Sequence, residues 1–404
     1  MNNPVFIKRV VLKNYKSFAS CSVDLRPLIF LVGQNGAGKS NFLDALRMVT
    51  ESLNTSLDHA LRERGGINEV RRRSSGHPTH FGIRLEFQLF DSTSGSYSFR
   101  VGARPKGGFE VQHEECCIFP DGLAERYFFE VFSGKVQKSS ANVMPPASSD
   151  RLYLVSAAGL PEFRSLYDAL SHMGFYNLNP DEIRDFQPPD AGDILMRDGR
   201  NLASVLNLMA KEFPQSKSQV VEFLSKVVPG ITNVDVKHVG KKESLEFRQK
   251  VGANKASWRF MAENMSDGTL RALGVLTALF QSKDNNGKRV ALVGIEEPEI
   301  ALHPGAAGVL RDALCAASMN TQIVVTSHSP DLLDDESIPD ESIMPVENRN
   351  GETIIGPLDA AGRSAIRKKL YTAGELLRLS QLSPDLDYIK KIKNSQLELF
   401  SQLK

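Results

Sequence analysis

Apolar positions fall into three short stretches near the start of the chain. Residues 5–12 and 20–25 read as strands, and residues 28–32 (L-I-F-L-V) read as a buried strand ending at Gly33. After Ser40 the period lengthens: Phe42, Leu43, Leu46 and Val49 recur along one helical face. Residues 81–90 then alternate with period two, and residues 97–102 can pair with them, which predicts a mostly antiparallel sheet. Residues 137–150 are rich in Ser and Pro and read as a loop or linker. Asn201 is placed to cap a helix that turns Leu202, Val205, Leu206 and Met209 inward. A second helix over residues 217–228 stops at Pro229-Gly230, and strands follow near 233–239 and 244–251.

From Met265 helices alternate with very apolar strands. The pattern predicts a helix over 268–281, a strand over 290–295, a helix over 305–318 and a strand over 322–325. Such alternation means α/β architecture with a parallel core. The tail from Ser383 reads as a helix with Pro384 in its first turn. Its stripe of Ile389, Ile392, Leu399 and Leu403, interrupted by Gln396, either packs on its own head or docks a second subunit or effector. There is no internal repeat and no long heptad array.

A chain of 404 residues allows one large or two ordinary domains. The net charge of +1 implies neither nucleic acid nor membrane overall, so any such surface must be a local patch. Cys21, Cys116, Cys117 and Cys315 lack metal-ligand spacing and are expected to be reduced thiols. The first residues lack the apolar core of a signal peptide, and no apolar run reaches the length of a membrane span. A cytoplasmic protein without a membrane partner is the expectation.

Chemistry enters with residues 33–40, G-Q-N-G-A-G-K-S, which match the G-x-x-x-x-G-K-S phosphate loop between a strand and a helix. Gly33, Gly36 and Gly38 let backbone N–H groups curl around phosphate oxygens, and the following helix points its positive end at them. Lys39 is placed to reach the β- and γ-phosphates and Ser40 to ligate Mg²⁺. Residues 290–299 form an apolar strand ending in acids. Glu296 would hold the metal and Glu297 would polarise a nucleophilic water, the alternative being a solvated acidic turn. Glu296 stands where Asp is usual, one methylene longer. Ser266, Asp267 and Gly268 precede a helix bearing Leu270, Leu273 and Leu276, and by themselves they mark an ordinary helix start. His328 ends the strand after the acidic one, either as a structural histidine or as a γ-phosphate sensor.

In this order the motifs resemble those of ABC-type ATPase heads. Residues 12–18 (L-K-N-Y-K-S-F), the G-Q-N-G loop and residues 296–304 (E-E-P-E-I-A-L-H-P) resemble the RecF, SMC and OLD group within that class. The resemblance implies an α/β ABC-type P-loop NTPase head with an antiparallel β lobe, a mixed or parallel core sheet and a helical insertion. It divides the chain into an N-terminal ATPase lobe (1–136), an insertion (137–260), a C-terminal ATPase lobe (261–350) and a helical tail (351–404). Gly33, Asn35, Gly36, Gly38, Lys39, Ser40 and Asn41 would bind ATP, with Lys16 and Ser17 near adenine and ribose. Ser266, Asp267 and Gly268 would be the signature that binds the γ-phosphate held by another subunit. Glu297, His328 and Lys39 would be catalytic, and Ser40 and Glu296 would hold Mg²⁺. Residues 301–303 would form the loop that crosses the dimer interface, and Gln88 is a candidate for the family's Q-loop.

Arg62, Arg64, Arg71, Arg72 and Arg73 flank a Gly65-Gly66 turn. They form either a solvated surface, or an arginine loop at the nucleotide, or a contact to duplex DNA. The roughly 225 residues between the P-loop helix and Ser266 contain no heptads, so no long coiled-coil arm is expected. About 75 residues follow His328, too few for a TOPRIM nuclease domain with its connections. The resemblance implies a homodimer or higher homo-oligomer around ATP and Mg²⁺. It would regulate a separately encoded effector, a nuclease or toxin, in bacterial anti-phage defence. The alternative is a RecF-like DNA clamp in repair. A stand-alone hydrolase of another substrate has no support in the residues.

Overall fold

A computed structural model describes residues 6–74, 76–121, 126–251, 256–281 and 290–399 of the chain. The first part runs β1 (Ile7–Tyr15), β2 (Phe18–Asp24), β3 (Leu28–Val32), α1 (Lys39–Asn54), α2 (Leu57–Arg62) and α3 (Ile67–Val70). Five strands follow: β4 (His80–Gln88), β5 (Ser94–Ala103), β6 (Phe109–Phe119), β7 (Tyr127–Phe132) and β8 (Lys135–Ser139). The middle contains α4 (Leu154–Ala157), α5 (Pro161–Ser171), β9 (Gly174–Tyr176), α6 (Pro180–Arg184), α7 (Leu202–Glu212) and α8 (Pro214–Val227). Then come β10 (Ile231–Val239), β11 (Lys242–Val251), β12 (Ala256–Met261), α9 (Asp267–Phe280), β13 (Leu292–Glu296), α10 (Ala307–Ser318) and β14 (Gln322–Ser327). The chain closes with β15 (Ile343–Arg349), β16 (Glu352–Ile355), α11 (Ala360–Arg367), α12 (Ala373–Arg378) and α13 (Leu386–Leu399).

An antiparallel sheet of order β2-β1-β4-β5-β6-β7-β8 forms one lobe. In β4 the alternation is plain: Phe81, Ile83, Leu85 and Phe87 are buried, while Arg84 and Glu86 between them are not. The sheet extends beyond the four strands read from the sequence, β1, β2, β4 and β5. In β6 the charged Glu110, Glu114 and Glu115 mask the pattern, and β8 begins just before the Ser- and Pro-rich stretch.

The core sheet has the order β16-β15-β3-β14-β13-β9, parallel from β15 to β9. Its central strands read as continuous apolar runs because both faces are covered. Within β3, Ile29 and Leu31 join the core shared with α1 and the antiparallel lobe. Leu28, Phe30 and Val32 face the helices α7, α8, α9 and α10 on the other side. In β14, Val324 and its neighbours Ile323 and Val325 divide in the same way. The small sheet β10-β11-β12 buries Val234, Leu245 and Phe247 against this second core.

Three features differ from the sequence pattern. Asn201 precedes α7 but makes no side-chain cap. Its amide instead accepts from Met196 N (2.8 Å) and donates to Asp190 Oδ2 (2.9 Å) and Ile194 O (3.0 Å), tying up the loop before the helix. Residues 352–355 form the second strand of a hairpin with β15 rather than the start of a helix. β14, not the acidic strand β13, is the neighbour of β3. In the tail, Tyr388 donates to Asp24 Oδ2 (3.0 Å) and Ile389 lies against Gly356, so this part packs on its own head. The side chains of Gln396, Leu399 and Leu403 lie outside the described residues. None of the four cysteines forms a disulfide. Among the described residues no helix is long and apolar enough to cross a membrane.

One buried acid fastens the antiparallel lobe to the chain that leaves it. Glu114 is fully buried. It accepts from Tyr153 N (2.5 Å), Leu154 N (2.8 Å) and Tyr97 Oη (2.9 Å). Burial pushes its pKa up to about 7, against these three donors, which favour the carboxylate. The folded state therefore keeps a proton that the unfolded chain loses near pH 4.5. This contribution to stability is full below about pH 4.5 and is lost as pH rises through about 7. Urea unfolding across this range should show that loss in the wild type and not in Glu114→Ala. The variant should also be less stable by about 2–4 kcal/mol, because its three donors lose their acceptor.

Candidate nucleotide site

β3 delivers the chain into residues 33–38, and close packing explains the glycines there. A Cβ at Gly33 would collide with the Val346 carbonyl oxygen. Gly38 has φ +106°, and a Cβ on it would strike the Thr353 side chain. The loop is thus clamped against the β15–β16 hairpin. Thr353 Oγ1 hydrogen-bonds with Ser17 Oγ (2.7 Å) and donates to Ala37 O (2.9 Å). Asn41 Nδ2 donates to the same Ser17 hydroxyl at 2.8 Å. One hydroxyl network therefore joins the β1–β2 turn, the phosphate loop, the first turn of α1 and the C-terminal hairpin.

Lys39 is 4% exposed, and its Nζ donates to Gly33 O (2.8 Å) and Gln34 O (3.1 Å). Burial lowers its pKa, while Glu297 and Glu299 oppose that shift. Glu297 Oε1 lies 3.9 Å from Lys39 Nζ and 3.2 Å from His328 Nδ1. Three side chains from the ends of β13, β14 and the start of α1 so converge. Glu297 has φ +44°, and its N–H donates to Thr326 O (3.0 Å) and Oγ1 (3.2 Å), which holds the left-handed turn. Asn35, Gly36, Gly38, Lys39, Ser40, Asn41 and Glu297 line a cavity of about 310 Å³. A second cavity of about 150 Å³ brings Ser40 and Glu296 together, with Lys16 and Arg197 on its wall. Hard oxygen donors beside a phosphate cradle suit Mg²⁺, and the cradle suits a polyphosphate. The residues fit both groups.

The signature residues lie elsewhere. Ser266 Oγ caps α9, accepting from Thr269 N at 3.3 Å. Asp267 pairs with Arg184. A Cβ at Gly268 would meet the carbonyl oxygen of Ala301, itself at φ +65°, so this glycine lets residues 301–303 pack on the signature. None of Ser266, Asp267 and Gly268 lines either cavity around the phosphate loop.

Lys16, in a turn with φ +46°, pairs with Asp44 at 2.5 Å. Asp44 also binds Arg47 (2.6 Å), Arg64 (2.9 Å) and the Tyr15 hydroxyl (2.8 Å). Burial acts to raise its pKa, but Arg64, Lys16 and Arg47 outweigh that and hold it well below the usual carboxylate range. Arg64 is therefore a buried structural counter-ion, not a solvated residue. Arg71 donates to Asn68 Oδ1 (3.0 Å) and Pro78 O (2.8 Å), Arg72 pairs with Glu352 (3.5 Å), and exposed Arg73 pairs with Glu69. Lys16 N donates to Val70 O and Arg72 N to Asn14 O, which lays the arginine segment on the β1–β2 turn beside Lys16 and Ser17.

Gln88 ends β4 and donates its N–H to Phe6 O, at the opposite end of β1 from Lys16, so it is not part of this site. β9 is instead the strand beside β13, and it leads into Asn177. With three residues, G-F-Y, it is too short to show a period. Two further charged groups escaped sequence reasoning. Arg271, buried on α9, approaches Glu297 O at 3.5 Å. Glu299 accepts from Ser327 Oγ (2.6 Å), and burial raises its pKa. A lone arginine within L-R-A-L-G-V-L was the available signal for the first.

Parts of the chain match known families. A family model described as "AAA ATPase domain" matches residues 6–120, and one described as "AAA domain, putative AbiEii toxin, Type IV TA system" matches residues 237–334. The chain is 23% identical to the Old nuclease of Escherichia phage P2, over 98% of this chain and 67% of that protein. It shares its fold with an SMC head solved bound to the C-winged helix domain of ScpA. That match has a TM-score of 0.57 and 14% identity, over 89% of this chain and 99% of that one. A second SMC head, with an extended coiled coil and bound to the C-terminal domain of ScpA derived from Pyrococcus furiosus, matches with a TM-score of 0.55 and 12% identity. It covers 90% of this chain and 99% of that one. The protein is an ATPase with the fold of SMC heads. In sequence it is similar to the Old nuclease.

Two substitutions probe the framework. Asp44→Asn leaves buried Arg64 without its main counter-ion and should lower the unfolding free energy by about 3–5 kcal/mol in urea titrations. Thr353→Val keeps the side-chain shape but removes the hydroxyl that braces Ala37. Calorimetry should show ATP affinity weakened about fivefold to tenfold with little change in melting temperature.

Proposed function

We propose that this ATPase is a switch that closes as a homodimer around ATP and Mg²⁺ and regulates a separately encoded effector. The observation that carries the dimer is the separation of the two half-sites. The phosphate cavities hold Lys39, Ser40, Glu296 and Glu297, while Ser266, Asp267 and Gly268 line neither of them. A second copy would supply its signature residues to the γ-phosphate.

Within each copy, the backbone N–H groups of the phosphate loop and the start of α1 bind phosphate oxygens. Lys39, parked on Gly33 O and Gln34 O, turns to the same oxygens. Ser40 and Glu296 would hold Mg²⁺, which would neutralise charge on the phosphates. Glu297 accepts a hydrogen bond from the attacking water and orients it. The turn at φ +44° aims its carboxylate, and His328 and Lys39 keep that carboxylate in place. His328, whose backbone N–H donates to Glu299 Oε1, would sense the γ-phosphate.

The effector reading is supported by what the similar proteins are described as: an AAA domain of a toxin in a toxin–antitoxin system, a phage nuclease, and heads solved with a bound ScpA domain. A role in bacterial anti-phage defence, in the cytoplasm, is part of this proposal. The duplex-DNA clamp gains less, since Arg72 and Arg73 are paired with Glu352 and Glu69.

Glu297→Gln should bind ATP, accumulate as a dimer in light scattering and lose hydrolysis by about 100-fold or more. If it stays monomeric at saturating ATP and Mg²⁺, the sandwich is wrong. Duplex-DNA stimulation of hydrolysis, abolished when Arg71, Arg72 and Arg73 become Ala, would replace the effector reading with the clamp.

A further inference from the structure

The segment between β9 and α7 is held beside the acidic strand by its backbone. Asn177 N donates to Arg197 O (3.0 Å), and Asn179 N donates to Asp198 O (3.0 Å). β9 itself pairs with β13, with Tyr176 opposite Ile295. Arg197 is thereby fixed one step from Glu296, and its guanidinium donates to Glu296 Oε1 at 2.9 Å. Both side chains line the 150 Å³ cavity that contains Ser40.

That cavity has two acids on its wall, Asp44 and Glu296, and three cations, Lys16, Arg47 and Arg197. Asp44 is committed to Lys16, Arg47 and Arg64. The remaining acid, Glu296, is shared with Arg197. A guanidinium and a divalent cation cannot both sit on Oε1, and each repels the other at that distance. The extra methylene of Glu over Asp carries this carboxylate out to where the arginine meets it.

We propose that Arg197 is a positioning residue that acts through Glu296 as a built-in substitute for the metal. It rests on the reading of Ser40 and Glu296 as the metal pair. Before metal arrives, Arg197 keeps Glu296 neutralised, so the site stays net positive and accepts nucleotide phosphates alone. For Ser40 and Glu296 to hold Mg²⁺, Glu296 would have to release Arg197. Nucleotide binding and metal binding become separate events, with metal loading opposed by Arg197.

The full-length protein, with Arg197→Ala and Arg197→Lys, is titrated with a fluorescent ATP analogue in EDTA and then across a Mg²⁺ series. In Arg197→Ala, metal-free nucleotide affinity should fall about fivefold, while the Mg²⁺ concentration giving half-maximal tightening should also fall about fivefold. Arg197→Lys should lie between, keeping charge without the fork. Weaker metal-free binding together with tighter metal binding is a signature that a merely structural ion pair does not produce. If Arg197→Ala leaves both constants within twofold, or weakens both alike, the inference is overturned. Should wild type bind no nucleotide with or without Mg²⁺, the nucleotide-site reading falls and this inference with it.

Discussion

The parallel registration of β3, β14 and β13 is the constraint on which the site depends. Thr326 sits opposite both Leu31 and Glu296, and Ser327 opposite Val32, so the three strands end level on one edge. Parallel strands present their carboxyl ends together, and the loops that follow must share that edge. Lys39, Glu297 and His328 therefore meet although they are scattered over nearly 300 residues of sequence. The strands can be so aligned because both faces of each are buried, which leaves no freedom to slip.

Charge is handled in two ways around the phosphate loop. Asp44 gathers Lys16, Arg47, Arg64 and Tyr15, fixing the first helix to the β1–β2 turn and the arginine segment. A buried carboxylate with several cationic partners is rigid, since moving any one leaves the rest uncompensated. The other charged groups have fewer partners: Lys39 rests on carbonyls, Glu296 on an exposed arginine, and Glu297 on His328.

One segment links Glu296 to Asp267. Arg197 reaches Glu296 and Arg184, on α6, reaches Asp267. α6 also packs on α9 through Ile183, which lies near Gly274. Any change at the acid is therefore mechanically close to the surface that would face a second copy.

The glycine-rich loop between strand and helix, the acidic strand end, the helix start at Ser266 and the strand end before His328 were legible in the sequence. Each is a local feature, a glycine pattern or a polar residue at the end of an apolar run, and phosphate recognition by backbone amides is itself local. The helix over α1 and the strands β3, β4, β13 and β14 were legible for the same reason, since burial prints its period on neighbouring residues. What required the tertiary structure was everything made by pairs distant in sequence. Thr353 bracing Ala37 across 316 positions leaves no local trace, nor does Arg197 on Glu296 across 99. The three-residue β9 and the charged β6 hide their roles because sheet neighbours, not period, define them. The sequence by itself determined which chemistry the chain carries. The fold decided which side chains hold that chemistry in place, because those contacts depend on strand order rather than on spacing.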